Sequence, residues 1–125
     1  MKILKLLVLS LFFVAGQHAI AQKLIVNNNN TAITFTTGFD FGACGGGVVL
    51  TTPPLTTSTS PYRFPCPLLV LKLSFIDPTC NPPQPVNVAI PFTTNPTYFN
   101  YVLCDGTVVS VRIYFNGMDY IVDII

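Results

Sequence analysis

Residues 97–125 read TYFNYVLCDGTVVSVRIYFNGMDYIVDII. Three runs rich in aromatic and β-branched residues, Thr97 to Cys104, Thr107 to Phe115 and Met118 to Ile125, are separated by Asp105-Gly106 and Asn116-Gly117. Such runs suit a pleated, half-buried strand, and Asp-Gly and Asn-Gly are the strongest short hairpin signals because a type I′ turn needs positive φ at both central residues. Centring each dipeptide in a two-residue loop sets Cys104 opposite Thr107 and Phe115 opposite Met118. On these registers Val109, Val111, Ile113 and Phe115 share an inward face with Tyr98 and Val102 on one side and Met118, Tyr120, Val122 and Ile124 on the other. The outward face then carries Phe99, Tyr101 and Leu103, with Arg112 opposite Phe99 and Tyr114 opposite Asp119. Both turns put the same middle-strand residues inward, which predicts a three-stranded meander.

Working outward, Leu68 to Ile76 is a strand with Leu69, Leu71, Leu73 and Phe75 on one face, Thr31 to Thr37 points Ile33 and Phe35 inward, and Val48 to Thr52 and Val86 to Ile90 are shorter candidates. All 11 prolines fall between Pro53 and Pro96, which excludes a helix of any length there. Nowhere past residue 21 do apolar residues recur at helical spacing without a Pro, Gly or β-branched run interrupting them. Seven or eight short strands at this spacing predict an all-β fold, a small antiparallel β-sandwich of immunoglobulin-like or jelly-roll-like type ending in the meander; a partly open barrel is the alternative. Asn27 to Asn30 reads as a polar turn. Thr51 to Pro61 (TTPPLTTSTSP) reads as a long extended connection, with a mucin-like stalk as its rival.

The first 21 residues have a different character. Lys2 and Lys5 precede an apolar run from Leu6 to Ala15, then Gly16 and Ala19-Ile20-Ala21. That order of basic, apolar and small-residue regions is a secretory signal peptide, too short in its apolar part for the roughly 20 residues that span a bilayer. Residues 1–21 are therefore assigned as leader and 22–125 as one secreted domain, extracellular or periplasmic, with no membrane span in the mature chain. Export decides how the cysteines read. Cys44, Cys66, Cys80 and Cys104, spaced 22, 14 and 24 apart, predict two disulfides in an oxidising compartment. Three pairings are open, and Cys44–Cys66 with Cys80–Cys104 is preferred because each joins neighbouring segments. A four-thiolate zinc site wants close C-x2-C pairs, and none is present.

Residue inventory excludes most chemistry. His18, the single histidine, lies in the leader, so the domain has no imidazole, and its charges are Lys23, Arg63, Lys72 and Arg112 against Asp40, Asp77, Asp105, Asp119 and Asp123. Four cations are too few for a nucleic-acid footprint. Lys72 and Ser74 share a strand face but lack the S-x-x-K helical spacing of a Ser-Lys pair. Asp119 and Asp123 would sit about 13 Å apart along a strand, beyond the roughly 5 to 9.5 Å of glycosidase carboxylates. Gly45-Gly46-Gly47 has neither the Lys-Ser/Thr of a phosphate loop nor the His of an oxyanion motif, and reads as a flexible turn. No enzyme and no cofactor are expected. The candidate binding residues are Phe99, Tyr101, Arg112, Tyr114 and Asp119, where rings alternate with a guanidinium and carboxylates. This pattern implies non-catalytic binding or adhesion to a glycan or a protein surface. The alternative is a structural, self-assembling subunit pairing through Tyr120 to Ile125 as an edge strand, a homo-oligomer. In style the chain resembles short secreted β-sandwich proteins with two disulfides, a likeness that implies no activity.

Mass spectrometry of the exported protein is expected to show a chain beginning at Gln22 and lighter than its reduced form by one hydrogen for each of the four cysteines. An intact leader or free thiols on the native protein would contradict this reading.

Overall fold

The computed structural model describes residues 22–42 and 47–125. The expected leader, Cys44 of the expected Cys44–Cys66 bridge, and Gly45-Gly46 lie outside the described residues. Nine strands form: β1 (Leu24–Asn28), β2 (Phe35–Asp40), β3 (Val48–Thr52), β4 (Thr56–Thr59), β5 (Val70–Asp77), β6 (Gln84–Pro91), β7 (Thr97–Val102), β8 (Val108–Phe115) and β9 (Tyr120–Ile124). They make a five-stranded sheet in the order β4-β1-β9-β8-β7 and a four-stranded sheet in the order β3-β2-β5-β6. The fold is all-β, as expected. Every pairing is antiparallel except β1 with β9, which runs parallel. The last three strands stay together in one sheet, whereas immunoglobulin constant domains divide theirs between two.

Period-two alternation supplies the core. Leu24 and Val26 of β1, Val109, Val111 and Ile113 of β8, and Val122 and Ile124 of β9 face Phe35 and Phe39 of β2 and Leu71, Leu73 and Phe75 of β5, all buried in one cluster. Rings bridge the two sheets: Phe75 meets Tyr101 edge-on at 5.5 Å, and Phe92 meets Tyr120 the same way at 5.5 Å. One polar side chain crosses as well. Asn28, expected in a turn, ends β1 fully buried, and its amide donates to the carbonyls of Ile33 (2.8 Å) and Thr52 (3.0 Å) while its Oδ1 accepts the Asn30 N–H (3.0 Å). A buried amide is tolerated because its hydrogen bonds are made inside the fold. The Thr51 to Pro61 segment folds back as β4 after Leu55, whose φ of 57° turns the chain.

Both hairpin registers differ from expectation, and one difference reverses a strand. Leu103, not Cys104, pairs with Thr107: the Leu103 N–H donates to the Thr107 carbonyl (2.7 Å) and the Gly106 N–H to the Leu103 carbonyl (2.9 Å). The loop is thus three residues, Cys104-Asp105-Gly106, with positive φ (88°) at Gly106 alone, the form that three-residue hairpins take. The cause is long-range. Cys104 is bonded to Cys80, and its N–H donates to Asp77 Oδ2 (2.9 Å), which draws it out of the ladder. A one-residue slip exchanges the faces of β7: Phe99, Tyr101 and Leu103 turn inward, and Tyr98 and Val102 turn out, 69% and 62% exposed. The β8–β9 turn slips by two, so its faces keep their parity. Asn116 Oδ1 accepts the N–H groups of Met118 (2.9 Å) and Asp119 (2.7 Å), making Asn116 a corner residue; Gly117 (φ 93°) and Met118 form the loop, and Ile113 faces Val122. Met118, expected inside, is exposed.

The Cys80–Cys104 disulfide ties the β5–β6 loop to the β7–β8 loop across the sheets. Cys66 is not a free thiol. Beside the observed bridge, buried Asp77 accepts from the Thr79 hydroxyl (2.6 Å), the Thr79 N–H (2.9 Å) and the Cys104 N–H (2.9 Å). Burial presses the Asp77 pKa upward, but these three donors favour the ionised form and carry it below its ordinary 3.8. A lowered folded-state pKa means the stabilisation is complete above the unfolded value and is lost as pH falls through the folded one. Thermal melts of Asp77→Asn are expected to fall below wild type at neutral pH and to begin converging on it only as pH drops below the ordinary 3.8, closing as the folded-state value is passed. Parallel curves at all pH values would show that this carboxylate is not a clasp.

Candidate functional site

The outer face of the five-stranded sheet carries one row of side chains that crosses every strand. Pairing sets Thr57 of β4 beside Asn27 of β1, Asn27 beside Asp123 of β9, Asp123 opposite Arg112 of β8, and Arg112 opposite Tyr98 of β7. At ordinary strand spacing the row is about 19 Å long. The Thr57 hydroxyl donates to Asn27 Oδ1 (2.9 Å), and Asn27 Nδ2 donates to Asp123 Oδ1 (2.8 Å). These bonds orient the acceptor half of the row. In the other half the Arg112 guanidinium lies 4.3 Å from the centroid of the Tyr114 ring, a cation–π contact that holds the side chain flat against the sheet.

Arg112 and Tyr98 form a non-hydrogen-bonded ladder pair, since the odd-numbered residues of β8 are the ones that bond β7. Side chains approach more closely at such positions. Tyr98 is therefore the cross-strand neighbour of Arg112, while the Tyr114 ring supports the guanidinium. Among the described residues the guanidinium has no hydrogen-bond partner, so its five N–H donors are left to solvent above the Tyr114 ring. An exposed cation fixed by a ring, next to an oriented carboxylate, can take a planar or polyhydroxylated ligand without moving.

The five candidate residues from the sequence do not stay together. Arg112 and Tyr114 lie on this outer face as expected. Phe99 and Tyr101 lie on the opposite one, half-buried and packed on the core, because of the register set by Cys104. Asp119 is at the rim, where its carboxylate accepts the Lys23 N–H (2.9 Å) and meets the Arg63 guanidinium at 3.5 Å. It anchors the start of β1 and the loop after β4. Tyr98, Asp123 and Asn27 replace these three beside Arg112. Asn100 carries the signal that points to Tyr98: a two-residue Asp105-Gly106 loop would set this amide on the core face between Tyr98 and Val102.

Two other places bring polar side chains together. Asp77, Cys80 and Cys104 bring potential metal-ligand atoms within 4.8 Å of one another, but the sulfurs are joined in the disulfide and the carboxylate is taken by N–H and O–H donors. The outer face of the smaller sheet has two shallow recesses, one beside Gly38 and Lys72 and one beside Thr36 and Ser74. There Ser74 donates to Asn87 Oδ1 (2.8 Å), a cross-strand pair and not a nucleophile with its base.

Arg112 is exposed and contributes a cross-strand contact, so Arg112→Ala is expected to lower unfolding free energy by no more than about 1 kcal/mol in denaturant titrations. A loss of several kcal/mol would make it a structural ion. Comparison with family models, curated proteins and solved structures finds no match to this chain, and the site rests on its own residues.

Proposed function

We propose that the chain is an exported, non-catalytic sandwich-type binding module that recognises a glycan on the outer face of its five-stranded sheet. The single observation that supports this most is the row Thr57–Asn27–Asp123–Arg112–Tyr98, whose guanidinium has no hydrogen-bond partner among the described residues, lies on the Tyr114 ring and has Tyr98 as its cross-strand neighbour. Sugars present apolar ring faces and a rim of hydroxyls. Tyrosine faces match the first, and a carboxylate beside an unpaired guanidinium matches the second. A protein epitope is the weaker reading, because the centre of the row is polar and lacks the buried aromatic anchor that protein hot spots use. Catalysis has little to work with, since the domain lacks imidazole and no nucleophile is held against a base. The leader-like first 21 residues and the disulfide favour export.

Affinity electrophoresis through gels cast with neutral and anionic polysaccharides tests the reading. Retardation is expected in at least one gel, and Arg112→Ala and Tyr98→Ala should each weaken it about tenfold or more, the loss of roughly one good contact. Thr56→Ala, at the far edge, should leave it unchanged. Free mobility in every gel, or retardation indifferent to Arg112, would sink the proposal.

A further inference from the structure

Four strands end sheets, and three of the four edges are guarded. The β3 and β4 edges lie against each other, with Ser58 Oγ donating to the Thr51 carbonyl (3.2 Å). Strand β6 carries Pro85 and Pro91, which cannot donate to a further strand. Strand β7, TYFNYV, has six residues without a proline or a charge. The Leu103–Thr107 bond fixes which of its groups are occupied: the odd-numbered residues bond β8, so the N–H and C=O of Tyr98, Asn100 and Val102 point away from the sheet. Among the described residues none of these groups has a partner.

We infer that β7 is a homodimer interface, at which two copies pair antiparallel about a two-fold axis through Asn100 and join their five-stranded sheets into one. The register follows from the free groups. Pairing Asn100 with its counterpart sets Tyr98 against the second copy's Val102 and Val102 against its Tyr98, which engages every outward N–H and C=O of the three residues on both strands. Sliding the axis toward Tyr98 brings in Pro96, which has no N–H. Sliding it toward Val102 brings in Cys104, whose N–H is held by Asp77. No neighbouring register completes the ladder.

Side chains agree with the same axis. On the outer face the two most exposed apolar residues of the strand, Tyr98 and Val102, cover each other twice. On the core side Phe99 meets Tyr101 of the second copy at the closer, non-hydrogen-bonded positions, so two half-buried rings on each copy lose their remaining exposure. Asn100 meets Asn100 on the axis, where one amide can donate and the other accept. No charge lies on the strand to oppose its own image. The self-complementarity selects a second copy over an unrelated peptide.

Sedimentation velocity of the purified, oxidised protein across micromolar concentrations is expected to show a reversible monomer–dimer equilibrium. Asn100→Lys places two like charges on the axis and should raise the dimer dissociation constant at least about tenfold, with an unchanged thermal melt at concentrations where both proteins are monomeric, because Asn100 is exposed. Thr57→Lys on the opposite edge should leave the dimer intact. Register is read separately: a hydrogen-bonded antiparallel pair holds Cα atoms about 5.5 Å apart, within disulfide reach. Asn100→Cys should therefore give a covalent dimer on mild oxidation, and Tyr98→Cys should not. A protein that stays monomeric throughout, including one that binds an extended peptide at this edge, overturns the inference. So does a dimer insensitive to Asn100→Lys, or equal crosslinking at positions 98 and 100.

Discussion

The tie between Cys80 and Cys104, reinforced by the Asp77 carboxylate on the Cys104 N–H, determines which face of β7 meets solvent. A hairpin register has two sources, the local preference of its turn and the long-range demands on its flanks. Here they conflict by one residue. Asp-Gly favours a two-residue loop, but the clasp holds Cys104 toward the other sheet and leaves Leu103 to close the ladder. One residue suffices to exchange every side chain on the strand. Without that exchange Arg112 would face Phe99 instead of Tyr98, and Asn100 would lie on the core side.

A second constraint comes from the chain ends. Strand β1 lies parallel to β9 and places Tyr120 to Ile124 in the interior of the five-stranded sheet. The expectation of a C-terminal edge strand, and of assembly through it, is corrected by this pairing: the polar backbone of β9 is bonded on both sides. Asp123, which on an edge would guard against pairing, instead receives the Asn27 amide and becomes the middle of a polar row. The same closure moves the exposed edge to β7, the strand whose composition offers least protection.

These two constraints explain how much was legible in the residues. Alternation and turn dipeptides located the meander and the inward faces of β8 and β9, because each is a local pattern a few residues long. Leu71, Leu73 and Phe75, and Ile33 with Phe35, were legible for the same reason. Strand β4 was not, since Thr-Thr-Ser-Thr has no apolar alternation and forms by pairing with β1. Nor was the parallel β1–β9 contact, which joins residues about a hundred positions apart and leaves no trace in either segment. Of the candidate site, Arg112 and Tyr114 were correctly placed on the outer face by the middle strand alone. Phe99 and Tyr101 were misplaced because their faces depended on a turn under tension from a cysteine whose partner lay 24 residues away.

The proposed binding face and the proposed dimer edge share Tyr98, and this has an energetic consequence. A flat row of five side chains leaves most of a ligand in water, so a single face binds weakly by the usual limits on unenclosed ligands. Joining two sheets through β7 sets a second row on the same side of one continuous twisted sheet, related by the axis at Asn100 and held by a rigid ladder instead of a flexible linker. A repeating polymer that engages one row then meets the other at a fixed separation. Two linked weak sites can exceed either alone by about 10² to 10⁴ where geometry permits both to engage. Geometry also restricts that gain to polymers whose repeat matches the rotation, so specificity would arise from spacing as much as from the contacts of Arg112. On this view the unguarded edge is not a flaw in the sheet. Under the two proposals together, it converts a shallow surface into a selective one.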